Sequence, residues 1–173
     1  SPTRHKQQRI VFLICIMIEL WTIGKPKFTF INEGEQEFVR RIRHYSKFSV
    51  ESVDVKLSSR KNMSSSDVKL AESEAILKRL GEKKTLILLD ERGKRYDSIA
   101  FAKKLEQWQV NARDGIVFLI GGAYGFDEAL YARAQDKVSL SDMTFSHQLI
   151  RLIFLEQLYR AHTILRGEKY HNP

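Results

Sequence analysis

A chain of 173 residues, 43% hydrophobic and 29% charged, has the material for one domain with a sizeable core, which excludes a disordered chain. Its 29 Lys and Arg against 21 Asp and Glu leave a charge of +8 and a pI near 9.6, which favours polyanionic partners, nucleic acid before anionic membrane, unless it serves solubility alone. A single cysteine, Cys15, excludes an internal disulfide framework and a zinc site of cysteine type, and it fits a reducing, cytoplasmic compartment.

The chain opens with the basic stretch SPTRHKQQR and the apolar run VFLICIMIELWTI, an order that resembles a secretory signal. No small-residue cleavage pattern follows, Glu19 interrupts the run, and the run is too short to cross a membrane, so no membrane association is expected. Residues 1–16 read as a leader, with Cys15 a small buried hydrophobe, ahead of a buried strand from Ile18 to Ile23. After the turn IGKPKF, Asn32 is expected to cap a helix to about Tyr45. Phe38, Val39, Ile42 and Tyr45 share one face of it and Arg40, Arg41 and Arg43 the other. VESVDVKL alternates as a half-buried strand does, and LSSRKNMSSSD has the composition of a loop.

A serine or Asp67 then starts a helix to Leu80, with Val68, Ala71, Ala75, Ile76 and Leu80 at helical spacing. Lys84 to Leu89 is a strand, DERGKRYDS turns the chain, and Ser98 caps a helix to about Val110. Gly115 to Ile120 and Val138 to Leu140 are the last strands, with Ser141 to Phe145 a turn beyond them. Strand and helix alternate throughout, with no internal repeat and no linker, so the expected fold is α/β with a largely parallel sheet. The final stretch, HQLIRLIFLEQLYRAHTILRGEKYHNP, is a long helix and a short tail. The helix is apolar over more than one face, which suits a subunit interface or, as the alternative, a central core helix.

Ligands of open parallel sheets bind beyond the carboxyl ends of the strands. Three such ends carry suggestive residues: Leu88 to Asp90, Ile120 to Gly122, and the turn after Leu140. In VFLIGGAYGF a strand runs into paired glycines, where either a tight turn or a close-lying ligand excludes side chains. The glycine spacing is not that of G-x-G-x-x-G, which argues against a dinucleotide fingerprint.

LIGGAYGF followed by SLSDMTFSHQLIRLIFLEQLYRAHTILRGEKYH resembles the ribosomal RNA large-subunit methyltransferase H family, small SPOUT-class enzymes that methylate N3 of a pseudouridine. The resemblance covers Met17 to His171 and is tightest in the C-terminal half. Family members begin at the first strand, so residues 1–16 read as extra sequence before a single SPOUT domain over 17–173. The resemblance implies a parallel α/β sheet with a C-terminal trefoil knot, a homodimer, and S-adenosylmethionine held against Leu89, Gly121, Gly122, Leu140, Ser141, Asp142, Met143, Thr144 and Phe145. It implies no metal. It also places Arg160, Tyr170 and His171 at the chemistry, with the tail of one subunit closing over the cofactor of the other.

Two competing readings bear on that site. Glu156 and Arg160, spaced i,i+4, are positioned to pair along the helix, which competes with a substrate role for Arg160. His147 is either a substrate group or a structural histidine bonding the loop backbone, and the second is preferred. Lys25, Lys27, Arg40, Arg41, Arg43, Arg60 and Lys61 are candidate phosphate contacts. With no RNA-binding module appended, the expected substrate is large-subunit RNA in the assembled ribosome. The rival is a non-catalytic dimeric RNA-binding protein on the same fold.

Overall fold

The structure, a computed structural model, describes residues 2–56 and 62–173. Part of the loop expected in LSSRKNMSSSD, with the candidate phosphate contacts Arg60 and Lys61, lies outside the described residues. In chain order the elements are α1 (Pro2–Cys15), β1 (Met17–Ile23), α2 (Thr29–Ile42), β2 (Lys47–Val53), α3 (Ser65–Leu80), β3 (Thr85–Arg95), α4 (Ser98–Asn111), β4 (Ile116–Ile120), α5 (Glu128–Arg133), β5 (Asp136–Ser139) and α6 (Leu149–Arg166). The strands form one sheet in the order β2-β1-β4-β3-β5, and every pairing is parallel. The alternation of strand and helix in the sequence has produced the sheet it predicts.

Strand β4 shows why the sheet is covered on both faces. All five of its residues are buried. Ile116, Phe118 and Ile120 point into a core shared with α4 and α6, through Phe101, Leu105, Trp108, Phe154, Leu155 and Leu158. Val117 and Leu119 point the other way, into a second core with Ile76 and Leu80 of α3 and Leu130 of α5. A central strand covered on both faces needs an unbroken apolar run rather than an alternating one. Phe118, fully buried, lies 4.9 Å from the Phe154 ring and 5.7 Å from Trp108, centroid to centroid.

Several boundaries differ from those the sequence suggests, each for a local reason. The apolar leader is helical, and Cys15 is exposed rather than buried. Helix α1 rests on α4 through an ion pair between Arg9 and Glu106 and a 3.4 Å hydrogen bond from Gln109 Nε2 to the Leu13 carbonyl; Val11 and Phe12 face outward. Helix α2 starts at Thr29, three residues before the expected Asn32 cap, with Phe28 in the cap position and no side-chain cap bond. Strand β2 comes earlier than VESVDVKL, because its register on β1 runs from Met17↔Lys47 to Ile23↔Val53. Helix α3 has the expected serine start: Ser64 and Asp67 form a capping box. Helix α4 is capped by Asp97, whose carboxylate accepts from Ala100 N at 2.7 Å, rather than by Ser98.

The largest departure is β3. DERGKR does not turn the chain. After a bulge between Leu89 and Lys94, the strand pairs with β5 again at Val138 and Ser139. Gly93 makes this possible, since a Cβ there would lie 2.5 Å from the backbone N and C of Val138. Helix α5, six residues long, fell in a stretch with no expected element.

Helix α6 is apolar on several sides because it lies on the sheet between α2 and α4. Phe154, Leu155, Leu158 and Ala161 are buried, and Gly34 lets α2 approach within 2.9 Å of the Leu152 side chain, measured from the Cβ position. The core-helix reading therefore accounts for its buried face. Among the described residues, no helix is long and apolar enough to cross a membrane.

Candidate functional site

A cleft of about 490 Å³ opens over the carboxyl ends of β3, β4 and β5. Leu89, Gly121, Gly122 and every residue from Leu140 to Phe145 line it, so all the expected cofactor residues converge on one place. Lys69, Asp90, Tyr131, His147 and Ile150 are also in the wall. The volume lies in the range of roughly 300–1,000 Å³ that small-molecule and cofactor sites occupy.

The glycine turn is built by its neighbours. Gly122 and Gly125 bridge, with Gly125 N donating to Gly122 O at 3.2 Å, and Gly125 has φ +76°. A Cβ on Gly121 would lie 3.0 Å from the Phe126 ring, and one on Gly122 would overlap the Glu72 carboxylate. Sequence reasoning kept these positions bare for a ligand or a turn. In the structure the protein itself occupies one side of each glycine and leaves the other to the cleft. Glu72 is 8% exposed, and burial pushes its carboxyl above the usual range.

The opposite wall is a loop held by its own hydroxyls. Ser139 Oγ donates to Ser141 O at 3.1 Å, and Met143 N donates to Ser141 Oγ at 2.9 Å. Asp142 takes a two-pronged bond from Arg95 Nη1 at 2.6 and 2.5 Å, an exposed pair worth little by itself. At the floor, Tyr131 donates to Asp90 Oδ2 at 2.5 Å. Burial, reinforced by that carboxylate, pushes the phenol up to about 12.

His147 is exposed at the cleft, and among the described residues its ring has no hydrogen-bond partner. The loop-bracing role expected of it falls to Arg151, which the sequence reading passed over. Arg151 is 2% exposed; its Nε donates to the His147 carbonyl at 3.3 Å and its Nη2 to the Gly24 carbonyl at 3.0 Å, with Glu35 at 3.9 Å. Burial lowers the guanidinium and raises the Glu35 carboxyl, each partly offset by the other's charge. An arginine in an apolar helix, four residues after a histidine, was the available signal.

Arg160, Tyr170 and His171 come together, around Glu156. Arg160 donates to Glu156 Oε1 from Nη2 at 2.6 Å and from Nε at 3.1 Å, and Tyr170 OH donates to the same oxygen at 3.1 Å. Arg160 Nη1 reaches His171 Nδ1 at 3.2 Å, and its guanidinium lies 4.8 Å from the Tyr170 ring centroid. The i,i+4 pair and the tail cluster are thus one unit. Burial raises the Tyr170 phenol, and Glu156 adds to the shift. None of the three lines the cleft of its own chain.

An open parallel sheet with a glycine turn and a shaped loop over its strand ends defines a ligand-binding α/β protein of the switch-point type. The family model described as "Predicted SPOUT methyltransferase" matches residues 16–171. The protein named ribosomal RNA large subunit methyltransferase H of Cytophaga hutchinsonii is 43% identical over 155 residues, 90% of this chain and 99% of that one. Those of Flavobacterium johnsoniae and Parabacteroides distasonis are each 46% identical over 156 residues, 90% of this chain and 98% of theirs. A crystal structure described as a probable rRNA-methyltransferase from Porphyromonas gingivalis aligns with 88% of this chain and 70% of that one, at TM-score 0.47 and 14% identity. The chain belongs to the SPOUT methyltransferases and, among them, to the ribosomal RNA large subunit methyltransferase H family.

Proposed function

We propose that this protein transfers a methyl group from S-adenosylmethionine to N3 of a pseudouridine in large-subunit ribosomal RNA, in the cytoplasm, on the assembled ribosome. The observation that carries the reading is the convergence of Leu89, Gly121, Gly122 and Leu140 to Phe145 on one cleft beyond three parallel strands. Bare backbone at the glycines and the loop's N–H and C=O groups suit a folded cofactor with adenine and amino-acid ends. Bound there, the cofactor supplies an electrophilic methyl on sulfur. The demethylated thioether would be the co-product, and the N3 proton would be given up to solvent.

The chain's part is to align the acceptor and exclude water, and alignment alone is worth roughly 7–11 kcal/mol. The tail cluster suits the acceptor. With Nδ1 of His171 taken by Arg160, the free Nε2 carries a proton and donates, which fits holding a uracil oxygen better than taking the N3 proton. Tyr170, raised and donating to Glu156, is likewise an orienting group. Because this cluster does not line its own chain's cleft, we infer a homodimer in which the tail of one subunit closes over the cleft of its partner. The C-terminal trefoil knot belongs to the same reading and rests on the family resemblance.

Removal of residues 169–173, read by calorimetry and turnover together, tests this against a non-catalytic RNA-binding protein on the same fold. The full chain is expected to bind S-adenosylmethionine and its demethylated product but not NAD. The truncated chain is expected to bind both equally well and transfer no methyl. Full turnover without the tail would remove the cluster from the mechanism, and a full chain that binds neither ligand would favour the non-catalytic protein.

A further inference from the structure

The turn between β1 and α2 presents an unusual surface. Phe28 and Phe30 are 53% and 61% exposed, and their rings stack with centroids 5.6 Å apart and planes 22° from parallel. Lys25 and Lys27, both exposed, flank them, and neither pairs with a carboxylate among the described residues. No acidic residue occurs between Gly24 and Asn32.

The turn is also tied down by hydrogen bonds. Gly24, at φ +77°, accepts at its carbonyl from Thr22 Oγ1 at 3.1 Å and from the buried Arg151 at 3.0 Å. Lys27 N donates to Gln148 Oε1 at 2.7 Å, and Gln148 directly follows His147, which lines the cleft. A stacked aromatic pair is thus pinned beside the proposed methyl-transfer site and bordered by free cations.

We propose that residues 24–30 form a grip for single-stranded RNA, in which Phe28 and Phe30 stack on bases while Lys25 and Lys27 neutralise the flanking phosphates. Resting on the methyltransferase reading, this assigns the element that holds the strand whose base enters the cleft. A base that leaves its helical stack to reach a cofactor also exposes neighbouring faces, and aromatic platforms with adjacent cations receive such faces whatever the base. The main competitor is contact with a second copy of this chain. An isologous contact centred here would bring Lys25 and Lys27 against their own copies, and like charges brought together at an interface disfavour it.

The test uses a fluorescently labelled short oligouridylate, read by anisotropy over a range of salt. Phe28→Ala with Phe30→Ala is expected to weaken binding about thirtyfold or more at constant salt, in line with the loss of two base-stacking contacts. Phe28→Trp with Phe30→Trp should retain the affinity. Lys25→Gln with Lys27→Gln should reduce the log–log salt slope by about 1.4, two single-strand phosphate contacts. All variants should keep the wild-type sedimented mass and S-adenosylmethionine affinity.

Wild-type affinity in the double alanine variant, no binding by the wild-type chain, or a fall in mass with unchanged RNA binding would overturn the proposal. The last outcome would make the patch a self-association surface. A wild-type chain that binds the oligonucleotide through these residues but methylates no ribosomal RNA would uphold the grip and remove the methyltransferase reading. Methylation that survives intact in the double alanine variant, with unchanged RNA affinity, would do the reverse.

Discussion

His162 sits on α6 at 5% exposure, against Ser46 Oγ at 3.4 Å, and burial, helped by Arg166, holds its imidazole down to about 4. In the unfolded chain a histidine titrates near 6.5. Between those values the unfolded state binds a proton that the folded state refuses, so stability is lost as pH falls through this window. The loss is about 1.4 kcal/mol per unit and about 3 kcal/mol in all. Glu35 and Glu72, raised by burial, act in the opposite sense. The difference between wild type and His162→Gln isolates the histidine. Urea midpoints at pH 7 and pH 5 should converge between the two proteins, and a constant gap would contradict the assignment.

Gly122 is the second residue whose chemistry is set by a neighbour. Gly122→Ala drives a methyl into the Glu72 carboxylate and should weaken S-adenosylmethionine binding at least about tenfold while costing about 1–3 kcal/mol of stability. Removing the obstacle in Gly122→Ala with Glu72→Ala should restore part of both, and calorimetry on the four proteins of the cycle measures the coupling. Sequence reasoning reached the glycines but not Glu72, because a carboxylate on a polar-looking helix gives no local sign that it will be buried against a turn on another element.

At the scale of elements, periodicity located every strand, and the errors were at their edges. Strand β3 is the instructive case. KTLILL is an evident strand, whereas DERGKR has turn composition, yet pairing with β5 extends the strand past a bulge to Arg95. Register on a partner strand is a long-range fact that local composition does not carry. Helix α6 shows the converse. Its all-round apolarity was visible, but the sequence alone did not separate burial between α2 and α4 from burial against another subunit. The close approach at Gly93 gives a test at this scale. Gly93→Ala must push the strands apart, with an expected loss of about 1–3 kcal/mol by thermal or urea unfolding. An unchanged unfolding midpoint would mean that the close approach is not tight.

In the whole molecule, three strand ends, a glycine turn and a serine-rich loop make the cleft, while a helix end and a tail make a second cluster around Glu156. The cleft residues were legible because their motifs are contiguous and fall where strands end. Arg151 and Tyr131 were not, because each works through a partner distant in the chain: Gly24 for Arg151 and Asp90 for Tyr131. Under the proposed function, the separation of cleft from cluster is what calls for a second copy of the chain to bring a tail to each cleft.

The measurement that tests this account most directly is transfer of labelled methyl from S-adenosylmethionine to ribosomes lacking the modification, with the labelled nucleotide identified by mass spectrometry. The account predicts label on N3 of a single pseudouridine of the large-subunit RNA. Cofactor binding without any label in large-subunit RNA would contradict it.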